Sequence, residues 1–278
     1  PAARRRLFRR WPILQRLARW RLYWQLEIGV LSFLGYDWVN RAAARMARRH
    51  LETAVADPAL RRALTPDYQI GCKRILVSDD YYPALQQPHV ELVTAGIRAV
   101  RPDGLVTADG AFRAADALVF GTGFVAAQLL LDMRIEGRNG RELLAEWQAA
   151  GGPEAYLGLS VSGYPNLFFL LGPNTGLGHN SVVLMIESQI SYVMDYLDTL
   201  AREGVPFLDL RPEAQAAFNA DLQARLARTV WQSGGCRSWY QTTAGKNTTL
   251  WPGSTAGYRL KTRRIHRQAY APAAPGTG

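Results

Sequence analysis

The chain has 278 residues, and its hydrophobic share of 48% is enough to build a packed core, which excludes a disordered protein. Its net charge of +10 is uneven, because residues 1–74 contain 16 Lys and Arg against 5 Asp and Glu, whereas residues 75–278 contain 17 against 18. Cys72 and Cys236 lie 164 positions apart and form no CxxC pair, so their spacing suggests neither a zinc site nor a disulfide framework. A reducing, cytoplasmic setting is therefore expected.

The basic charge belongs to residues 4–36, where arginines alternate with apolar side chains at helical spacing. This pattern predicts a basic amphipathic helix, which usually is the solvated face of a helix packed on the core but also allows peripheral contact with a membrane surface. Contact with nucleic acid is a weaker alternative that we do not retain. No apolar run reaches the roughly 20 residues that cross a bilayer, because Gly29, Gly35 and Asp37 interrupt the best candidate.

The remaining elements follow in chain order. Helices are predicted over residues 20–34 and 40–55, and then a short one that starts at Pro58 with Asp57 as its N-cap. Short runs rich in Val, Ile and Leu predict strands over 73–78, 90–94, 97–100, 104–107 and 117–120. A helix over 141–149, an apolar strand over 166–171 and helices over 181–200 and 211–230 come next, before an irregular segment over 236–264. Mixed strands and helices in this order predict an α/β fold.

The strongest signal is a glycine-rich loop between an apolar strand and a long helix. The segment NLFFLLGPNTGLGHNS contains Gly172, Gly176 and Gly178, which allow a ligand to approach the backbone, and Pro173 and Asn174, which shape the turn. The first turn of a helix has free N–H groups and a positive dipole end, so the arrangement is typical of phosphate or anion binding. The alternative is a tight connection in which a serine only caps the helix.

Three further segments contain candidate ligand contacts. In ADALVFGTGF a predicted strand ends in Gly121, Thr122 and Gly123, and open α/β sheets bind ligands at such strand ends. In GCKRILVSDDYYPAL the guanidinium of Arg74 suits an anion because it stays charged and offers several donors in one plane. In CRSWYQTTAGKNTTLWPG the ring of Trp239 lies among amide and ammonium donors, which suits a ribose or nicotinamide face. Taken singly, these segments are equally typical of a β-turn, an ion-pair surface and a satellite apolar cluster.

Other enzyme classes lose their main support in the sequence. It contains no HExxH, GxSxG or Walker motif, which argues against zinc hydrolases, α/β-hydrolases and P-loop enzymes. The histidines have no metal-ligand spacing, so no metal site is expected.

Together and in this order, the four segments resemble the C-terminal half of class B flavin-dependent monooxygenases of the Baeyer–Villiger type, especially the aryl-ketone and alkyl-ketone subfamilies. DALVFGTGF resembles the inter-domain motif of that family, GYPNLFFLLGPNTGLGHNS its second flavin-contacting loop, and GCKRILVSDDYYPAL the strand with its active-site arginine. The resemblance covers nearly the whole chain. It implies the C-terminal part of a Rossmann-like flavoprotein with two dinucleotide-binding domains and a helical insertion.

The resemblance implies three segments of that fold. Residues 1–68 would be the helical segment inserted in the NADPH domain, 69–113 the remainder of that domain, and 114–278 the C-terminal part of the FAD domain. The family's FAD and NADPH glycine fingerprints and its FxGxxxHxxxW-type linker are not in the sequence. Since the first residue is proline rather than methionine, we expect these motifs in an N-terminal half of the same gene product.

Roles also carry over residue by residue from the resemblance. Arg74 matches the family's catalytic arginine, which would stabilise negative charge on the activated oxygen, and Trp239 matches the tryptophan that hydrogen-bonds NADP. Gly121, Thr122 and Gly123 match a domain hinge near the cofactors, with glycine here in place of the usual alanine before Thr-Gly. Another group of residues matches the loop beside the flavin ring: Gly172, Pro173 and Asn174.

The implied activity uses FAD, NADPH and O2 to insert one oxygen atom beside the carbonyl group of a small-molecule ketone. One alternative is an enzyme that oxygenates N or S atoms of a heteroatom substrate in the same protein architecture. A second alternative is a non-catalytic interaction module that acts through the basic amphipathic helix.

Overall fold

A computed structural model describes residues 2–123 and 133–272 of the chain. These residues divide into two units. The first unit comprises residues 2–41, 68–74 and 133–272, and the second comprises residues 42–67 and 75–123.

The described residues contain both helices and short strands. The α-helices are α1 (Ala2–Arg10), α2 (Pro12–Ile28), α3 (Asp37–Ala54), α4 (Pro58–Leu64), α5 (Tyr81–Leu85), α6 (Leu143–Ala149), α7 (Val182–Glu203), α8 (Pro212–Leu226), α9 (Val230–Ser233) and α10 (Thr255–Lys261). The strands are β1 (Ile97–Arg101), β2 (Gly104–Thr107), β3 (Phe112–Ala114), β4 (Leu208–Leu210) and β5 (Tyr270–Pro272). Short 3-10 helices cover Gly29–Ser32, Arg138–Gly140 and Arg267–Ala269.

Helix α7 is the long central helix of the first unit, and its prediction over 181–200 is confirmed. The Ser181 hydroxyl accepts a hydrogen bond from the Val183 N–H at its start, as expected of an N-cap. The helix ends at Gly204, whose positive φ of 65° closes the last turn with a hydrogen bond to the Leu200 carbonyl. Its inner face buries Met185, Tyr192 and Tyr196.

The core of the first unit consists of three apolar clusters. One contains Phe33, Trp231 and Trp251, and a second contains the tyrosines around α7 and the β4–β5 pair. Buried tyrosine hydroxyls in this second cluster are satisfied internally: Tyr196 accepts from the Leu208 N–H at 2.9 Å, and Ser160 Oγ lies 3.0 Å from the Tyr270 hydroxyl. A third cluster surrounds α6, and its buried members are Leu143, Trp147, Ala155, Val161 and Tyr164.

The helix predictions hold, with shifted ends. The predicted helix over 20–34 is α2 followed by the 3-10 turn, and it begins earlier than expected because Pro12 starts it. Asp57 caps α4 by accepting hydrogen bonds from the N–H groups of Ala59 at 2.9 Å and Leu60 at 3.2 Å. The helices predicted over 40–55, 141–149 and 211–230 correspond to α3, α6 and α8 with α9.

The strand predictions hold only in part. Strands β1 and β2 confirm the predictions over 97–100 and 104–107, and β3 completes an antiparallel sheet with the order β1-β2-β3 in the second unit. The predictions over 73–78, 90–94, 117–120 and 166–171 are wrong for the described structure, where these residues form no strand. A strand needs a neighbour that pairs with its backbone, and apolar composition alone does not supply one.

Cys72 and Cys236 form a disulfide, so the interpretation that their spacing suggests no disulfide framework is wrong for this pair. Their Cα atoms lie 6.1 Å apart although 164 residues separate them in sequence. Spacing rules detect local motifs such as CxxC, whereas this pair is brought together only by the tertiary fold.

The segment over 236–264 is irregular as predicted, except that α10 forms within it. Ser254 caps α10 by accepting a hydrogen bond from the Gly257 N–H at 3.0 Å. Among the helices within the described ranges, none has the length and apolar composition that a membrane crossing needs.

Candidate functional site

The glycine loop, residues 172–180, is shaped by hydrogen bonds to the segment 247–251. Asn174 is buried with a positive φ of 57°, and its side-chain N–H groups donate to the carbonyls of Asn247 at 2.9 Å and Leu250 at 3.3 Å. Its backbone N–H donates to the Thr248 carbonyl at 2.9 Å. Gly176 continues the pairing on both sides, since its N–H donates to Thr249 and its carbonyl accepts from Trp251. The loop is therefore held by the protein itself.

The three glycines of the loop have different neighbours. A Cβ on Gly172 would collide with the carbonyl oxygen of Gly158, and one on Gly176 would lie 2.8 Å from the Thr249 carbonyl oxygen. These two glycines thus allow close approach of the protein's own backbone, rather than of a ligand as the sequence suggested. Gly178 is exposed at the end of the loop, above the rings of Phe33 and Trp231.

The predicted flavin-side residues Gly172, Pro173 and Asn174 are all buried. The donors of the Asn174 amide are occupied by the Asn247 and Leu250 carbonyls. These residues can therefore influence a ligand only by fixing the shape of the loop. The exposed part of the loop lies at Gly178, next to the start of α7.

A buried carboxylate connects the end of the loop to α10. Glu27 on α2 accepts hydrogen bonds from the Asn180 amide at 2.8 Å, the Thr255 hydroxyl at 2.7 Å and the Ala256 N–H at 2.9 Å. Burial alone would raise the pKa of Glu27, but these donors outweigh it and hold the pKa below its usual value. Glu27 therefore carries its charge inside the protein and caps α10 from another helix.

His179 lies beside this carboxylate. Its side chain is 1% exposed, and its Nε2 is 3.7 Å from an oxygen of Glu27, beyond hydrogen-bond distance. Both ring nitrogens are buried without a hydrogen-bonding partner among the described residues. Burial lowers the pKa of His179, and the Glu27 carboxylate offsets this only in part, so the ring is neutral at pH 7.

Arg74 and Trp239 are exposed in the same unit. The ring of Trp239 packs on that of Tyr240, with 4.6 Å between the centroids. Burial raises the pKa of Tyr240, and the positive charge of Arg74 acts in the opposite direction. Arg74 follows Cys72 by two residues and Trp239 follows Cys236 by three, so the disulfide between these cysteines brings the two segments together.

Gly121, Thr122 and Gly123 belong to the second unit and are exposed outside any helix or strand. A Cβ added to Gly121 or Gly123 would meet nothing within 4 Å, and Gly123 has a positive φ of 86°. Their backbone is therefore open to solvent, and only Gly123 requires glycine for its conformation.

The sequence matches no family model. It is 49% identical over 267 residues to a Baeyer–Villiger monooxygenase of Pseudomonas aeruginosa, which covers 96% of this chain and 50% of the relative. It is 46% identical over 269 residues to a Baeyer–Villiger monooxygenase of Streptomyces coelicolor, with 96% of this chain and 51% of the relative covered. The chain thus spans about half the length of these relatives.

The fold gives the same result. The chain is similar to a solved structure of OTEMO in complex with FAD and NADP, with a TM-score of 0.75 and 26% identity over 87% of this chain and 46% of the other. The chain belongs to the Baeyer–Villiger family of class B flavin monooxygenases. The predicted α/β flavoprotein fold is thereby confirmed, and the small antiparallel sheets of the described residues are only part of it.

Sequence analysis did not identify two structural features of this Baeyer–Villiger family member, the buried Glu27 carboxylate and the disulfide. Glu27 is the first acidic residue of the chain and follows eight arginines. A single carboxylate in such a basic segment was the sequence signal that could have identified it. The disulfide gave no local signal because its two cysteines meet only in the folded unit.

We expect Glu27→Gln to lower the free energy of unfolding by about 1.5–3 kcal/mol at pH 7, because an amide cannot satisfy the same donors. The folded pKa lies below the usual value of 4.5, so this stabilisation is complete above about pH 4.5 and is lost as the pH falls through the folded pKa. Urea unfolding of wild type and variant across this range measures it. Glu187→Gln, at an exposed position of α7, is the matched control, and a pH-independent difference would contradict the assignment.

Proposed function

We propose that this chain forms part of an enzyme that uses FAD and NADPH to insert one oxygen atom from O2 into a ketone. The observation that carries this proposal is the similarity of nearly the whole chain to relatives named Baeyer–Villiger monooxygenase. The complex of OTEMO with FAD and NADP supports the choice of cofactors. These names favour ketone oxygenation over N or S oxygenation and over a non-catalytic module. Small-molecule substrates and O2 follow as partners.

The described residues fit a large cofactor at the end of the glycine loop. The buried ring nitrogens of His179 need a hydrogen-bonding partner that the described residues do not provide. The exposed backbone of Gly178 lies next to them, and the start of α7 adds the positive end of a long helix dipole. Leu170 and Leu171 add exposed apolar surface, so this edge combines the polar and apolar contacts that a flavin needs.

Arg74 is the proposed catalytic residue. FAD reduced by NADPH supplies the activation of O2 when it is bound. Arg74 is exposed, which leaves the several donors of its planar guanidinium accessible to a reacting group. Its role is to stabilise negative charge on the activated oxygen.

The other assigned residues have supporting roles in this proposal. Trp239 offers an exposed ring and an indole N–H to NADP. Gly121, Thr122 and Gly123 serve as the hinge between domains. The proposed domain limits are a helical insertion over 1–68, the rest of the NADPH domain over 69–113 and the FAD domain over 114–278. We place the complete enzyme in the cytoplasm, with the family's two glycine fingerprints in an N-terminal half.

In the active holoenzyme that contains this chain, we expect Arg74→Ala to reduce ester formation by on the order of 100-fold or more. NADPH oxidation should continue with release of hydrogen peroxide, because cofactor reduction does not need this guanidinium. Product yield, NADPH consumption and peroxide are measured in one assay. Lys73→Ala is the control, since this neighbouring cation lies 4.4 Å from the centre of the Tyr68 ring. Wild-type ester yield in Arg74→Ala would remove Arg74 from the mechanism.

A second proposed property is peripheral contact of residues 4–36 with an anionic membrane surface. Glu27 is buried on one side of helix α2, whereas a continuous stripe of apolar side chains on this helix is exposed to solvent. The members of this stripe follow helical spacing and are 41–63% exposed: Ile13, Leu17, Trp20, Trp24 and Ile28. Exposed Arg16, Arg19 and Arg21 flank it, and tryptophan with arginine is the composition of helices that lie in the headgroup region.

We expect the chain to sediment with vesicles of phosphatidylcholine mixed with phosphatidylglycerol and much less with phosphatidylcholine alone. The double variant Trp20→Ser, Trp24→Ser should bind on the order of 100-fold more weakly, because each lost indole removes ~1.4 kcal/mol or more of apolar burial. Trp38→Ser, exposed on α3 outside the stripe, is the control. Equal binding of both variants, or no preference for the anionic lipid, would contradict this contact.

A further inference from the structure

The disulfide between Cys72 and Cys236 lies between the two segments that carry the exposed candidate residues of the first unit. Arg74 is two residues after one cysteine, and Trp239 is three residues after the other. The positive charge of Arg74 also opposes the rise that burial causes in the pKa of Tyr240, the neighbour of Trp239. The bridge is therefore placed to fix the distance between them.

The backbone beyond Cys72 is weakly supported. Residues 73–77 are exposed and lie outside any helix or strand, and Val77 is 94% exposed. Upstream of the bridge the chain is held by the Gln69 N–H, which donates to the Gly234 carbonyl at 2.9 Å. A covalent link at residue 72 is thus the last firm attachment before Arg74.

The packing around the bridge is tighter at Cys72 than at Cys236. Cys72 is completely buried, and a Cβ on Gly234 would lie 2.9 Å from its Cβ, so only glycine fits there. Cys236 is half-buried, so the bridge is less enclosed on its side than on that of Cys72.

We propose that the Cys72–Cys236 disulfide is a redox-sensitive link that positions Arg74 against Trp239 and Tyr240. Its opening requires a dithiol reductant, whose thiolate attacks one sulfur of the bridge to give a mixed disulfide. The second thiol of the reductant then closes its own disulfide, and two electrons and two protons pass to Cys72 and Cys236, which become thiols. The segments of Arg74 and Trp239 then lose their covalent link, and residues 73–77 form no helix or strand that would keep Arg74 in place. The catalytic consequence rests on the proposed function.

The structural part is tested on the chain itself. Iodoacetamide added to the denatured, unreduced protein should label no thiol, and peptide mapping should recover Cys72 linked to Cys236. Reduction of the folded protein by dithiothreitol should accelerate amide exchange in residues 72–78 and 237–241 and leave α7 unchanged. The double variant Cys72→Ser, Cys236→Ser should show the same amide exchange as the reduced protein, and dithiothreitol should not change it. Two free thiols at the outset, or unchanged exchange after reduction, would overturn the link.

The functional part is tested in the active holoenzyme. Reduction should lower the ratio of ester formed to NADPH consumed severalfold, with the same KM for ketone, because misplacement of Arg74 affects oxygen transfer rather than substrate binding. A bridge that only stabilises the fold would reduce the amount of active enzyme and leave this ratio unchanged. If the ratio of ester to NADPH stays unchanged although the bridge is reduced, the bridge does not position Arg74, and the proposed function still stands. Absence of ester in both redox states would overturn the proposed function, while the exchange result would still decide the link.

Discussion

The hydrogen bonds of Asn174 are the interaction on which the candidate site depends. One amide side chain reaches two carbonyls of the segment 247–251, and the backbone of the same residue bonds a third. Asn174 also adopts the left-handed conformation, which asparagine tolerates better than most residues. Without these bonds several buried polar groups would lack partners, at about 1–3 kcal/mol each. The loop and the segment 247–251 therefore form one rigid edge of the first unit.

Hydrogen-bond donors decide whether a side chain near the glycine loop carries a charge when it is buried. Glu27 remains ionised because three donors converge on its carboxylate, and it connects α2, the glycine loop and α10 through these bonds. His179, with no such partners, stays neutral at the end of the same loop. Arg74 keeps its charge at the surface, where the donors of its guanidinium are available. The first unit thus has a neutral, buried imidazole at the end of the glycine loop and an exposed guanidinium at Arg74.

The sequence predicted what local chemistry determines. The start of α7 was predicted from Ser181, which precedes apolar residues at helical spacing. The start of α4 was predicted from the dipeptide Asp57-Pro58. Strands were predicted less well, because apolar runs such as 73–78 and 117–120 identify a segment fit for a sheet but not the neighbour that pairs with it. Candidate site residues were found by resemblance of motifs rather than by physical necessity. Their contacts depend on partners far along the chain, such as Asn247 for Asn174 and Cys236 for Cys72, and spacing rules do not reveal these.

The glycine loop is shaped by the protein's own backbone and side chains before any cofactor binds. Amide hydrogen exchange by NMR on the cofactor-free chain tests it most directly, at the N–H groups of Asn174, Gly176 and Trp251. We predict slow exchange at all three, and faster exchange at all three in Asn174→Ala. Exchange at the rate of an unprotected amide in the cofactor-free chain, with protection only after FAD is added, would contradict the account.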